Sequence, residues 1–232
     1  MRLGVIADVH ANLAALEAVL AALPPVDGLV CAGDIVGYGP QPAACVDALR
    51  SWGDGDRDLL AIRGNHDRAV TAGVDPDDGM AGAGVRHARA ELGADALAWL
   101  ADLPPGLTGH GDCLRVAHGH PADPDRYVYP SLFDRSLLAD ERVLVLGHTH
   151  IQARERFEQA GWARVRRRVV LNPGSVGQPR DGEPTAAYAT LTLDPEPAVA
   201  LHRVDYDVER TVRAIRDAGL PAAAGERLRK GV

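Results

Sequence analysis

Aromatic side chains are scarce in this chain: Phe, Trp and Tyr together make up 4% of its 232 residues, against 46% hydrophobic residues overall. Its core must therefore be built mainly from Leu, Val and Ala. Positive charge is also in short supply. Lys and Arg number 25 against 32 Asp and Glu, a formal net charge of −7. That balance argues against a sequence-blind grip on nucleic acid, which needs many cations to neutralise phosphates. A small phosphorylated substrate stays compatible with it, because bound metal cations reverse the charge locally. Three cysteines, Cys31, Cys45 and Cys113, show no metal-type spacing. They read as reduced packing thiols of a cytoplasmic protein. No apolar stretch is long enough to span a bilayer. The opening run Met1 to Ile6 leads straight to Asp8, unlike a secretory signal. The expectation is a cytoplasmic protein with no membrane partner, its oligomeric state open.

What is present is a series of short apolar runs with helical patterns between them. Leu3 to Ala7, Gly28 to Ala32 and Leu59 to Ile62 read as buried strands. Between them, Leu13, Leu16, Val19, Leu20 and Leu23 have helical spacing behind a possible Asn12 cap, and Ala43 to Trp52 forms a second helix. Strand–helix–strand–helix–strand is the signature of a largely parallel sheet. Residues 68–103 are rich in Ala and Gly, with helices expected at Gly84–Leu92 and Asp95–Leu103. Beyond them, two hairpins are expected. One joins Leu107–His110 to Cys113–His118 at Gly111-Asp112; the other joins Ala153–Glu158 to Trp162–Arg167 at Ala160-Gly161. Further strands are expected at Arg142–Leu146, Val169–Leu171, Ala186–Leu193 and Ala198–Val204, with a closing helix from Val208 to about Ala218. The whole reads as one α/β domain over residues 1–232, with two sheets and a helical elaboration at about 68–103.

Chemistry gathers at the strand ends. Four apolar runs close in Asp8-Val9-His10, Gly33-Asp34, Asn65-His66 and His148-Thr149-His150, and a fifth closes in His118-Gly119-His120. Six of the nine histidines fall at these positions, where ligands collect in open α/β sheets. A lone Gly-His-Thr-His or Asp-Val-His is a weak signal, since such tripeptides arise in ordinary caps and turns. The ordered set, each member closing a strand, is far more specific. Carboxylates, imidazoles and an amide oxygen without thiolates suit Mn, Fe, Zn, Ni or Co rather than a structural zinc. One shared carboxylate is the natural bridge between two ions, and Asp34, alone on its strand end, is a candidate for it. His87, His110 and His202 read as surface or structural histidines. Arg164, Arg166, Arg167 and Arg168 read as a strand with one solvated face. Tyr38 reads equally as a turn aromatic and as a residue lining the site mouth.

The blocks Asp-x-His, Gly-Asp, Gly-Asn-His-Asp, a lone His and Gly-His-x-His, in this order over residues 1–180, resemble the calcineurin-like metallophosphoesterases. The small bacterial phosphodiesterase-like branch is the nearest, and it shares the Asn172-Pro173-Gly174-Ser175 segment. The resemblance implies two mixed sheets packed as a sandwich flanked by helices. It also implies two divalent ions, Mn foremost. Asp8, His10, Asp34 and His150 would hold the first; Asp34, Asn65, His118 and His148 the second. His66 would stand beside the phosphate as a general acid, and a metal-bridging hydroxide would attack phosphorus. The expected activity is hydrolysis of small-molecule phosphodiesters or phosphomonoesters. The alternative is a non-catalytic scaffold that kept the fold, although every ligand position here holds a competent residue. Two departures stand out. Ala11 replaces a Gly common after Asp-x-His, and His120 replaces a common Ser. His118 is expected as the ligand because it ends its apolar run; His120 is expected at the substrate. Arg180, at the end of a segment with good turn chemistry, is a candidate phosphate contact.

Overall fold

The computed structural model describes residues 1–54, 57–76, 78–110, 113–160 and 165–232. Strand β1 (Arg2–Ile6) leads through α1 (Leu13–Ala22) to β2 (Gly28–Cys31), then through α2 (Pro42–Gly53) to β3 (Asp58–Ala61). Three helices follow: α3 (Asn65–Ala72), α4 (Met80–Glu91) and α5 (Ala94–Asp102). Next come β4 (Gly106–Gly109), β5 (Leu114–Ala117), β6 (Val143–Val145), β7 (Ala153–Ala160) and β8 (Val165–Asn172). The chain ends with β9 (Ala186–Thr192), β10 (Ala198–Val204), α6 (Val208–Asp217) and α7 (Ala222–Lys230).

The strands form two five-stranded mixed sheets, in the orders β10-β9-β1-β2-β3 and β4-β5-β6-β8-β7. In each, three parallel strands sit beside antiparallel ones: β1, β2 and β3 in the first, β5, β6 and β8 in the second. Alternation along the strands explains the layering. Leu3 and Val5 of β1, Val30 of β2, Leu114 and Val116 of β5, and Val143 and Val145 of β6 meet between the sheets. Ile6, Leu29 and Cys31 face the other way, onto Leu16 and Val19 of α1 and Val46 and Leu49 of α2. Both faces of these strands are buried, and so they read as unbroken apolar runs. On the outer face of the second sheet, Leu144, Leu146 and Val170 are covered by Val128, Leu137 and Leu138. These come from a segment with two short 3-10 turns, Pro130–Leu132 and Arg135–Leu137.

Several elements differ from the expectation. Asn65, His66 and Asp67 do not trail from a strand; they open helix α3 behind a Gly64 cap. Helix α4 starts four residues earlier than its periodicity suggests. Helix α7 was not anticipated. Most of its apolar residues are Ala, and packing of Ala224 and Leu228 with Ile215 and Leu220 gives it a core. Of the segment expected as Trp162–Arg167, residues 162–164 lie outside the described residues; the rest belongs with the expected Val169–Leu171 to one strand, β8, which pairs antiparallel with β7 and parallel with β6. Arg168 is not on a solvated face: it is buried, and its guanidinium donates to the carbonyls of Ala139 and Glu141. Arg164 and the turns at Gly111-Asp112 and at Gly161 lie outside the described residues. Asn12 does cap α1, accepting from the Ala15 amide at 3.2 Å.

Candidate metal centre

The candidate residues arrive on loops that leave the parallel strands side by side. After β1 and β2 the two loops stay paired: the Asp8, His10 and Ala11 amides donate to the carbonyls of Gly33, Asp34 and Ile35 at 2.9–3.0 Å. Keeping that pairing while turning each side chain toward one point forces unusual backbone. Eight non-glycine residues have φ between +46° and +68° among those described. Five of them are Asp8, His10, Asp34, His148 and His150, with Ala11 and Tyr38 alongside. Such conformations cost on the order of 1–3 kcal/mol each and persist only where the surroundings over-determine them. Glycine fills the tightest approaches. A Cβ at Gly64 would overlap the Asp34 carboxylate, and one at Gly37, with φ +90°, would lie 2.5 Å from His66 Nδ1.

The result is a buried cluster. Asp8, His10, Asp34, His118, His148 and His150 are each at most 5% exposed and His66 is 6% exposed. Three overlapping groups have ligand atoms mutually within 4.8 Å: Asp8 with His10 and His150, His10 with Asp34 and His66, and Asp34 with His118 and His148. Asp34 is common to two of them. Its Oδ2 lies 3.6 Å from His10 Nε2 and 3.3 Å from His118 Nε2. Asn65 Oδ1 lies 3.0 Å from His118 Nε2, which brings the amide to the same side. His150 Nε2 lies 3.6 Å from Asp8 Oδ1 and 3.2 Å from His10 Nε2.

Each imidazole is oriented by its other nitrogen. A carbonyl oxygen can only accept, so a ring nitrogen facing one must carry the proton. His10 Nδ1 donates to Val36 O at 3.2 Å, His118 Nδ1 to Ala32 O at 2.8 Å, and His150 Nδ1 to Gln178 O at 2.5 Å. Their Nε2 atoms are left for the cluster. His148 is reversed: its Nε2 donates to Asp125 O at 3.1 Å, leaving Nδ1 as the free electron pair. Backbone partners of this kind fix the tautomer of metal-binding histidines. The carboxylates are held likewise. Asp8 accepts from the His148 amide at 3.1 Å on both oxygens, and Asp34 Oδ1 accepts from the His66 amide at 2.8 Å.

Electrostatics agree with a cation site. Burial holds His10 and His150 well below the usual imidazole range and His148 down at about 4, so these rings are neutral, the form that ligates. Burial raises the Asp8 carboxyl to about 7. Burial also opposes charge on Asp34, but His118 and His66 beside it outweigh that and hold its carboxyl well below the usual range. His118 is the counterpart: burial disfavours its cation, yet Asp34 and Asp8 raise it to about 10. A proton on His118 Nε2 thus stands where a cation would neutralise the same two carboxylates. The donor set fits divalent ions, with oxygen and imidazole ligands and no thiolate.

Other expected residues fall in two places. Arg180 is near the cluster: its Nη2 approaches Tyr38 Oη at 3.4 Å and Gln178 Oε1 at 3.1 Å. The Tyr38 ring itself packs 4.6 Å from His66 and 4.9 Å from His10, so it lines the site. His120 is not brought to the cluster. Its Nδ1 accepts from the Ala122 amide at 3.1 Å, and its ring faces a depression of about 390 Å³ with Leu107, Arg115 and Pro124. The Gly119 turn redirects the chain, so two residues of spacing do not put His118 and His120 on one side. Among the other histidines, His87 bonds Pro40 O and His202 stacks on Tyr188, both away from the cluster.

Sequence reasoning missed several participants. Asp67 accepts from the Gly64 and Val36 amides at 3.0 Å, tying the Asp34 loop to α3. Ser175 Oγ donates to Asp8 O at 2.7 Å, and Asn172 Nδ2 to Gly147 O at 2.7 Å, so the Asn172–Arg180 loop braces the ligand loops from below. Tyr127 lies flat on His148, ring centroids 3.8 Å apart and planes 13° apart. Asp67 and the Asn172–Ser175 segment stood in the shared motifs without a role of their own, and their roles, like the place of Tyr127, depend on tertiary contact.

Two mixed sheets with a buried Asp/His cluster at their strand ends define a metal-dependent phosphoester hydrolase. The chain belongs to the calcineurin-like phosphoesterase superfamily, whose domain model matches residues 1–196. It is similar to the crystal structure of a metallophosphoesterase from Sphaerobacter thermophilus, with 34% identity, a TM-score of 0.83, and coverage of 100% of this chain and 99% of that one. An uncharacterised protein of Methanocaldococcus jannaschii is 30% identical over 241 residues, covering 97% of this chain and 96% of the relative. A hypothetical protein from Pyrococcus horikoshii shares the fold at 20% identity, with a TM-score of 0.82 over 100% of this chain and 98% of that one. No helix among the described residues is long and apolar enough to cross a membrane.

Proposed function

We propose that this protein hydrolyses small-molecule phosphodiesters or phosphomonoesters with two divalent ions, Mn foremost. The observation that carries this reading is the position of Asp34, whose carboxylate is shared by two ligand groups. Asp8, His10, Asp34 and His150 would hold one ion; Asp34, Asn65, His118 and His148 the other. When bound, the ions supply Lewis acidity to the phosphoryl oxygens and lower the pKa of water.

The chain's own residues would do the remaining work. His66 sits at the first turn of α3 with its amide on Asp34, and would give a proton to the leaving oxygen. Arg180, next to the Tyr38 hydroxyl, would take a non-bridging phosphoryl oxygen in its planar fork. Tyr38 would brace the rings of His10 and His66, which pack edge to face on each other at 5.0 Å, and limit water on that side. The buried, backbone-tied imidazoles would need no rearrangement during the reaction, the condition under which fixed dipoles and charges act most strongly.

The test is metal-stripped protein reconstituted separately with Mn, Fe, Zn, Ni, Co or Mg, then assayed on one diester and one monoester. The expected result is turnover restored by Mn with two ions per chain. Two tightly bound ions without turnover of either ester, under every metal, would favour the non-catalytic scaffold instead.

A further inference from the structure

Aromatic residues are few here: three Trp, five Tyr and two Phe. Six large hydrophobic side chains are strongly exposed among the described residues, and three fall in one short segment. They are Tyr127 at 40%, Tyr129 at 45% and Leu132 at 50%. The segment lies directly against the metal centre. The Tyr127 ring covers His148 as described above, and Tyr129 continues the series at 5.7 Å and 17° from Tyr127. Both separations allow face-to-face or offset stacking.

The series is fixed at its base. Asp125, two residues before Tyr127, receives the His148 ring proton at its carbonyl. The turn before it is closed by His120 N to Arg126 O at 2.9 Å and Arg126 N to Asp123 O at 3.1 Å. Val128, between the two tyrosines, is buried with Leu137 and Leu138 on the second sheet. The alternation leaves the tyrosines outside while their backbone is anchored. Their rings are therefore held in place while staying 40% and 45% exposed, which lowers the ordering cost of binding a flat partner.

We propose that Tyr127 and Tyr129 form a stacking platform for a planar ring carried by the ester substrate, an aryl group or a nucleobase one ester linkage from the metal centre. This rests on the phosphoesterase reading above and names the substrate class that reading leaves open. A ring stacked there would lie beside His148, on which Tyr127 packs. The site then selects for a flat hydrophobic group without reading its edges, so several bases or aryl groups should be accepted.

The experiment uses the full chain loaded with Mn and separates ring preference from hydrolysis. Turnover is compared for adenosine 5′-monophosphate against ribose 5-phosphate, and for their methyl diesters, because each pair differs in the base while the scissile bond is to the same type of oxygen, a primary ribose 5′-oxygen or, in the diesters, also a methoxy oxygen. Binding is compared by calorimetry for phenylphosphonate against cyclohexylphosphonate, which cannot be hydrolysed. The ring-bearing member should be favoured by roughly tenfold or more in the wild type, the usual scale of base–aromatic stacking. Tyr129→Ala should bring the ratios close to one, and Tyr129→Phe should keep them. Tyr129 is chosen because Tyr127 also supports a ligand. Preference in both pairs indicates any planar ring; preference only for the nucleotide indicates a nucleobase. Phosphate release without preference, or a preference that survives Tyr129→Ala, overturns the platform and leaves the phosphoesterase reading intact. Ring preference in binding without release from any ester keeps the platform and overturns that reading. A dimer that dissociates on Tyr129→Ala, with no ring preference, would assign the patch to contact between copies and overturn the proposal.

Discussion

The floor of the site and its rim are built on opposite plans. On the floor, Asp8, His10, Asp34, His118, His148 and His150 are buried, each held by a backbone amide or carbonyl, and most sit in strained backbone. On the rim, from Gly119 to Leu138, there is no strand and no α-helix, and Tyr127, Tyr129 and Leu132 stand in solvent. A floor of that kind tolerates no repositioning, because each side chain shares its backbone partner with the next loop. The rim needs only Val128, Leu137 and Leu138 to stay attached. The difference separates roles: the floor determines what chemistry is possible, and the rim determines which substrate meets it.

The floor should be the more sensitive by orders of magnitude. Asp34→Asn removes charge from the one carboxylate shared between ligand groups. It is expected to lower turnover by roughly 10⁴-fold, since a bound ion stabilises the transition state by several kcal/mol. Elemental analysis should show both ions depleted; two ions retained would mean Asp34 is not the bridge. His66→Ala should come next, with turnover down by about 10²–10⁴, the usual worth of a positioned acid, and metal content unchanged. His66 lies in a ligand-sized group with His10 and Asp34, so loss of an ion in this variant would make it a ligand instead. Substrates with very good leaving groups should suffer least.

Removing the metals should weaken the whole floor at once. Free metal at 100 times its dissociation constant stabilises by about 2.7 kcal/mol. For a chain of this size that corresponds to a melting point about 5–10 °C higher. Differential scanning calorimetry with and without chelator measures it, and an unchanged melting point after verified metal removal would count against a buried site. The pH dependence has a definite sign. His118, raised to about 10 by Asp34 and Asp8 against the effect of burial, is protonated at neutral pH without metal. A ligating imidazole must be neutral, so metal binding releases that proton and affinity should rise with pH between 6 and 8, by at most about tenfold per unit per proton. Calorimetric titrations in buffers of different ionisation enthalpy count the protons released.

How legible each region was in the sequence follows from the same division. The parallel strands are buried on both faces, so Leu3 to Ala7 and Arg142 to Leu146 stood out as apolar runs, and their ends carried Asp8 and His148. The ordered blocks therefore delivered the floor. What tied those residues down was hidden, because Val36 O, Ala32 O, Gln178 O and Asp125 O are backbone atoms that any residue supplies. Helix α7 was hidden for another reason: Ala-Ala-Ala-Gly has little periodic contrast, and its stability comes from Ile215 and Leu220. Arg168 misled because a charged residue among Arg167 and Arg166 reads as solvated until the carbonyls of Ala139 and Glu141 appear beside it. The rim tyrosines carried no periodic signal at all, since neither a strand nor a helix holds them.

The finest test of floor against rim is the pair His118 and His120, two residues apart and on opposite sides of that boundary. His118 is fully buried, with Ala32 O on one nitrogen and Asn65 and Asp34 at the other. His118→Ala should lower affinity for the second ion by at least the 10- to 100-fold seen when only a supporting partner is lost. His120 instead accepts the Ala122 amide and faces Leu107 and Arg115. Its replacement by Ala should keep two ions per chain and change kcat/KM by less than about twofold. The cost should be confined to one partly exposed hydrogen bond in the turn, about 0.5–1.5 kcal/mol. That translates to a melting point lower by about 1–6 °C for a chain of this length. Metal titration, steady-state kinetics and a melting curve on the two single variants decide between the positions. A lost ion or a tenfold higher KM in His120→Ala would move His120 back to the substrate and the boundary with it, because a side chain bonded to its own turn has no means of reaching the cluster unless that turn opens.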